Sequence, residues 1–163
     1  MRLSPAHLHL ILNHIPILGT MVFAPLILAW GLVRRSRDIV QAGLLLTVLL
    51  AVTTVPVYLT GEPAEEEIEN QPWFSENLVE THEERAEAAL VAVLITGAGA
   101  ALALWRARKG KPLGTMLPGA VLAGLLVSAG FFAAAALVGG QIRHDEIQAR
   151  SHLSTPAVPK ERD

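Results

Sequence analysis

Four runs of apolar residues constrain this chain more than any other feature. They cover about residues 5–33, 39–60, 86–105 and 117–142. Each is near or above the ~20 positions that a bilayer-crossing helix needs. Of the 163 residues 52% are hydrophobic and 17% charged, more apolar surface than a soluble domain of this length hides. Short links between the runs predict an all-α, integral membrane four-helix bundle of up-down-up-down topology. One transmembrane domain is expected over 1–147, followed by a disordered tail over 148–163 that shows no periodicity. The first run is expected to be a span and not a cleavable signal: it is too long, and no A-x-A-like site follows it.

The links are asymmetric in charge. Arg34, Arg35 and Arg37 join the first two runs, and Arg106, Arg108, Lys109 and Lys111 join the last two. The connection over 61–85 is crowded with glutamates and holds one basic residue, Arg85. Positive loops stay in the cytoplasm, so both termini and the acidic connection are expected outside it. Trp73 and Phe74 of that connection are expected at the membrane surface. Basic residues occur only where topology calls for them, which leaves nucleic-acid binding without support. The chain has no cysteine. Disulfides, thiolate metal sites, c-type haem and cysteine nucleophiles are thereby excluded.

Polar side chains in hydrocarbon are costly and carry function by default. Here they gather at the four outer helix ends. The first run brings His7, His9, Asn13 and His14, and the second ends in Glu62, Glu65, Glu66 and Glu69. The third opens with Glu80, His82, Glu83, Glu84 and Glu87, and the fourth closes with Arg143, His144, Asp145 and Glu146. At 100° per residue His9, Asn13 and Pro16 share a face, with His14 next to it. His82 aligns with Ala86 and Ala89, and His144 continues a stripe of Ala133, Ala136 and Gly140, so both are expected to face inward. Span three carries a second set of small residues, Gly97, Gly99, Ala100 and Ala101. Imidazoles and carboxylates from facing helices are how bundles build non-haem metal centres, and a histidine pair is how b-type haem is held. The expected ligands are His14, His82 and His144, with His9 in reserve. Glu62, Glu66 and Glu84 are expected to complete a metal site or support it. The bland readings are solvated glutamates (Glu67, Glu69, Glu76, Glu80), counter-ions (Arg85, Arg143) and, for His14, a bond to a carbonyl freed by a proline. His7 at the interface and His152 in the tail are expected to be silent.

The first span opens with His9-Leu10-Ile11-Leu12-Asn13-His14-Ile15-Pro16-Ile17.

 The two histidines and the proline stand where a family of small four-helix bacterial membrane proteins of unknown function has H-P-x-x-V-H-F-P-I. That family also has a Thr-Gly after its second helix, a histidine opening the third, and Gly-Gly with a histidine shortly after in the fourth. Thr60-Gly61, His82, Gly139-Gly140 and His144 match these in turn, so the chain resembles the family along all four helices. Two features depart from the main pattern: His144 follows the glycines more closely, and the "GEPAEEE" and "HEER" carboxylates are additional. The resemblance implies the topology, the histidine positions and a bacterial inner membrane, and it implies no established activity.

The expected function is therefore a small inner-membrane protein whose outward His/Glu cluster binds a metal ion or haem. A non-haem transition metal (iron, zinc or copper) is preferred over b-type haem, because carboxylates suit iron, manganese or zinc. Redox or electron transfer with a partner or membrane complex is expected, or metal-dependent chemistry. The rival expectation is a structural or accessory subunit, or a proton-relay module, without a cofactor.

Overall fold

The computed structural model describes residues 4–143. His144, His152 and the expected tail lie outside the described residues. The described chain forms α1 (Pro5–Leu18), a π-helical turn (Gly19–Phe23), α2 (Ala24–Arg34), α3 (Arg37–Leu59), α4 (Gly61–Ile68), α5 (Glu76–Arg108) and α6 (Met116–Arg143). Ser4 starts α1 by accepting from the His7 amide at 3.4 Å, with Pro5 preset at the first helical position. Ser36 caps α3 through the Ile39 amide in the same way. Between them Arg35 takes the left-handed conformation (φ 51°), which lets the chain reverse in two residues.

The π turn has a local cause. Pro25 has no N–H and its ring would press on the carbonyl one turn back. The Ala24 amide instead reaches Gly19 O, five residues earlier, so the first span absorbs the proline as a bulge. Two consequences follow. Gly19 meets Leu50 so closely that a Cβ there would collide with the leucine side chain. Thr20 is fully buried, and its hydroxyl has no hydrogen-bond partner among the described residues.

Four helical stretches are long and apolar enough to cross a membrane: Pro5–Arg34, Arg37–Ile68, Glu76–Arg108 and Met116–Arg143. They form the expected all-α bundle, and no strand occurs among the described residues. The second span packs on the first and third, and the fourth packs on the third and first. First and third therefore stand diagonally opposite. Buried Leu28, Leu44, Leu125 and Ala100 fill one half of the core; Ala51, Ala89, Val93 and Phe132 fill the other. Lipid gives helices no hydrophobic reason to associate, so close backbone approach has to supply the contact. Gly43 supplies it between the first two spans, where an added Cβ would lie 3.1 Å from Leu28 Cα. Gly97 does so against Ala51.

Polarity is arranged as a bilayer demands. Thr47, Thr54, Thr96 and Ser128 are buried, and each returns its hydroxyl to a carbonyl one turn back at 2.7–2.8 Å. Ile95, Leu126, Leu137 and Phe23 face outward.

The helices extend past the apolar runs, and one expected helix face is different. Most of the acidic connection is helical: α4 follows α3 directly, and α5 begins at Glu76, ten residues before the apolar run. Hydropathy reports the membrane, whereas glutamate and alanine sustain a helix on either side of it. The inward face of the fourth span is Ser128, Phe132, Ala135 and Val138, while Ala136 is exposed and Gly140 only half-buried. Small residues ran all round that helix, so several stripes were open to choice. On the third span Gly97 and Ala100 face inward, and Ala101 is exposed.

Candidate functional site

The acidic end of the bundle collects the start of α1, the end of α3, α4, the start of α5 and the end of α6. His9 is half-buried there, its Nδ1 2.9 Å from Thr60 Oγ1. The Thr60 hydroxyl donates to Val57 O at 2.6 Å, so its oxygen is left to accept. His9 Nδ1 is therefore the donor, and in a neutral ring the lone pair stays on Nε2.

His82 reaches the same state by another route. Its Nδ1 lies 2.9 Å from Ala135 O of the fourth span. A carbonyl can only accept, so Nδ1 is again the donor, and in a neutral ring Nε2 holds the lone pair. The ring lies against Gly139, where a Cβ would stand 2.9 Å from His82 Cε1. Only a missing side chain leaves room for the imidazole. His9 and His82 come from diagonally opposite spans and stand within each other's electrostatic reach. A second-nitrogen bond of this kind orients histidine ligands and sets their tautomer in metal sites.

Carboxylates flank the pair. α4 lies beyond the apolar run, and its half-buried Glu65 stands beside Glu83 of the third span. Burial, then Glu83, then the charges of Glu69 and Glu62 hold the Glu65 carboxyl above its usual range. Glu67 of the same turn has the opposite fate. It accepts from the Ala6 amide at 2.9 Å, and that bond, with Ser4 and then His7 adding to it, holds its carboxyl below the usual range. Glu67 thus satisfies an amide in the first turn of α1 and ties α4 to the first span. On the far side the Arg143 guanidinium lies over the Trp73 ring at 4.4 Å, linking the 69–75 connection to the end of the fourth span. Trp73 sits partly buried in that contact.

The structure places the remaining expected residues as follows. His14 is exposed, with Nδ1 2.6 Å from Leu10 O on its own helix, away from the His9–His82 pair. That carbonyl is not the one freed by Pro16, which belongs to Leu12. Glu62, Glu66 and Glu84 are exposed. His144 lies outside the described residues. Among the described residues no three histidine, aspartate or glutamate side chains stand close enough to hold one ion.

One contributor was not legible beforehand, and a second was legible only as a shared face. Thr60 stood in view only as half of a Thr-Gly match, yet its hydroxyl decides the tautomer of His9. Asn13 shares the inward face with His9, and its Oδ1 is buried without a partner among the described residues. The helical spacing of His9 and Asn13 was the available signal for it.

The fold and this end together define a class: a multi-pass four-helix membrane bundle with an imidazole pair and a carboxyl pair at one end. No family model, curated protein or solved structure significantly matches the chain.

Proposed function

We propose that the acidic end binds a non-haem transition metal ion, with His9 and His82 as its imidazole ligands, for redox or other metal-dependent chemistry. The observation that carries this reading is the matched pair of tautomers: two opposed spans each commit Nδ1 to a fixed acceptor and leave Nε2 available. Neutral imidazole with a free nitrogen is the ligand form. His144 is the natural third ligand by its place in the sequence. Glu65 and Glu83 supply negative charge to offset a cation where water is scarce. The resemblance to the small four-helix bacterial family supports the same histidine positions. The charge asymmetry supports a bacterial inner membrane as the location, with the acidic end outside the cytoplasm. A redox partner or larger membrane complex would meet the protein at that end.

The test is metal analysis and an absorbance spectrum of the full chain purified in mild detergent, repeated for His9→Ala, His82→Ala, His14→Ala and His144→Ala. Bound iron, zinc or copper without a Soret band is expected. His9→Ala and His82→Ala should lose most of it and His14→Ala should keep it. A Soret band that vanishes with the same two variants would assign the pair to b-type haem. Absence of any bound or reconstituted metal or haem would overturn the reading. In that case the protein is an accessory or proton-relay subunit, a second reading that the raised Glu65 carboxyl beside Glu83 favours.

A further inference from the structure

At the basic end, spans two and three part to leave a cleft of about 310 Å³ lined by Gln41, Ala42, Leu45, Leu104, Ala107 and Arg108. Its walls are ordered along the helix axes. Leu45 is one turn from Gln41 toward the bundle centre, and Leu104 is one turn from Arg108 in the same direction. The cleft therefore has a polar lip at the helix ends and an apolar floor within the span. Ala42 and Ala107 keep it open, because larger side chains there would close the gap between the helices. Arg37 stands at the lip as well: its Nη2 donates to Ala107 O at 3.4 Å. Among the described residues neither Arg37 nor Arg108 is held in an ion pair. Trp105 lies one turn before Lys109 on the third span and is exposed, as Trp30 is one turn before Arg34 on the first. Exposed tryptophans of this kind mark the headgroup level of a bilayer. The two guanidiniums thus stand where lipid phosphates lie, above a slot that descends into the acyl region.

We infer that this cleft is a binding site for one anionic phospholipid, its phosphate held by Arg37 and Arg108 and an acyl chain lying between Leu45 and Leu104. Basic pockets between membrane helices bind anionic headgroups, and a basic residue at that depth is worth about 1 kcal/mol, or roughly fivefold in affinity. The site is independent of the acidic end and needs no cofactor there.

The experiment is thermal unfolding of the purified full-length chain in detergent, titrated with phosphatidylglycerol or with phosphatidylcholine of the same acyl chains. Phosphatidylglycerol should raise the unfolding temperature and phosphatidylcholine should not. Glycerol phosphate, the headgroup alone, should give no shift, because it leaves the slot empty. Arg37→Gln and Arg108→Gln should each weaken the phosphatidylglycerol response roughly fivefold. Ala42→Phe keeps both arginines, fills the cleft from its exposed wall and should abolish the response. Arg106→Gln makes the same charge change off the cleft and should leave the response intact. Equal responses to the two lipids would overturn the inference. So would an unshifted wild type, a response that survives Ala42→Phe, or an Arg106→Gln loss matching that of Arg108→Gln. A two-copy particle that takes up no phosphatidylglycerol and separates on Ala42→Phe would give the cleft to a second copy of the chain.

Discussion

Gly139→Ala is the substitution that most directly tests how the fourth span seats His82. An added Cβ would lie 2.9 Å from His82 Cε1 and 3.1 Å from its Nδ1. The neighbour that has to move is a side-chain ring, not backbone, so the collision is relieved by turning the imidazole away. Turning it breaks the 2.9 Å bond from Nδ1 to Ala135 O. A hydrogen bond of this kind contributes about 1 kcal/mol net. Alanine also favours a helix over glycine by about 1 kcal/mol, which masks the loss if Gly139→Ala is judged alone. Gly140→Ala removes the ambiguity, because a Cβ there meets nothing within 4 Å among the described residues. It carries the same helix preference without the collision. The difference between the two variants is then the seat of His82, about 1 kcal/mol in unfolding free energy measured in one detergent. Under the proposed function the misaligned ring should also lower metal affinity by about 10- to 100-fold, as loss of a supporting bond to a ligand does. Equal stability and equal metal content for Gly139→Ala and Gly140→Ala would refute the reasoning.

Thr20→Val keeps the shape of a fully buried side chain and removes a hydroxyl without a partner, so it should stabilise the bundle by about 1 kcal/mol in the same assay; a loss would show that the hydroxyl is bonded. The carboxyls of α4 predict two pH limbs of opposite sign. Glu65 is raised on folding, so its contribution is full below the unfolded carboxyl range and is lost as pH rises through its folded value. Glu65→Gln should therefore flatten the decline of unfolding temperature as pH rises above the ordinary carboxyl range. Glu67 is lowered, so its contribution is present above the unfolded range and lost as pH falls through the folded value, and Glu67→Gln should flatten the acid limb instead. Unchanged pH profiles in both variants would remove these two groups from the stability of the acidic end. For topology, Asn70→Cys should react with an impermeant thiol reagent on intact cells and Thr115→Cys should not, with no native cysteine to interfere; the reverse pattern would turn the bundle over.

Much of this protein was readable before any coordinates, because bilayer physics is one-dimensional. Whether residues 5–33 or 117–142 can cross a membrane depends on length and hydropathy along a single helix, and those limits lie within a residue of Pro5–Arg34 and Met116–Arg143. The convergence of polar residues on one end follows from counting spans. Which side chain turns inward at that end is a different kind of question. His9 and His14 are five residues apart, and only the packing of the first span against the second exposes one and brings the other to Thr60. The glutamates of α4 repeat at helical spacing, yet the approach of the third span picks out Glu65 through Glu83. The choice of Ala135 and Gly139, not Ala136 and Gly140, as the surface facing His82 rests on the rotation of a helix that is small-sided all round. Hydropathy sets how deep a residue sits and leaves the rotation of each helix open. Rotation is decided by contacts between helices, and those exist only once the bundle has formed.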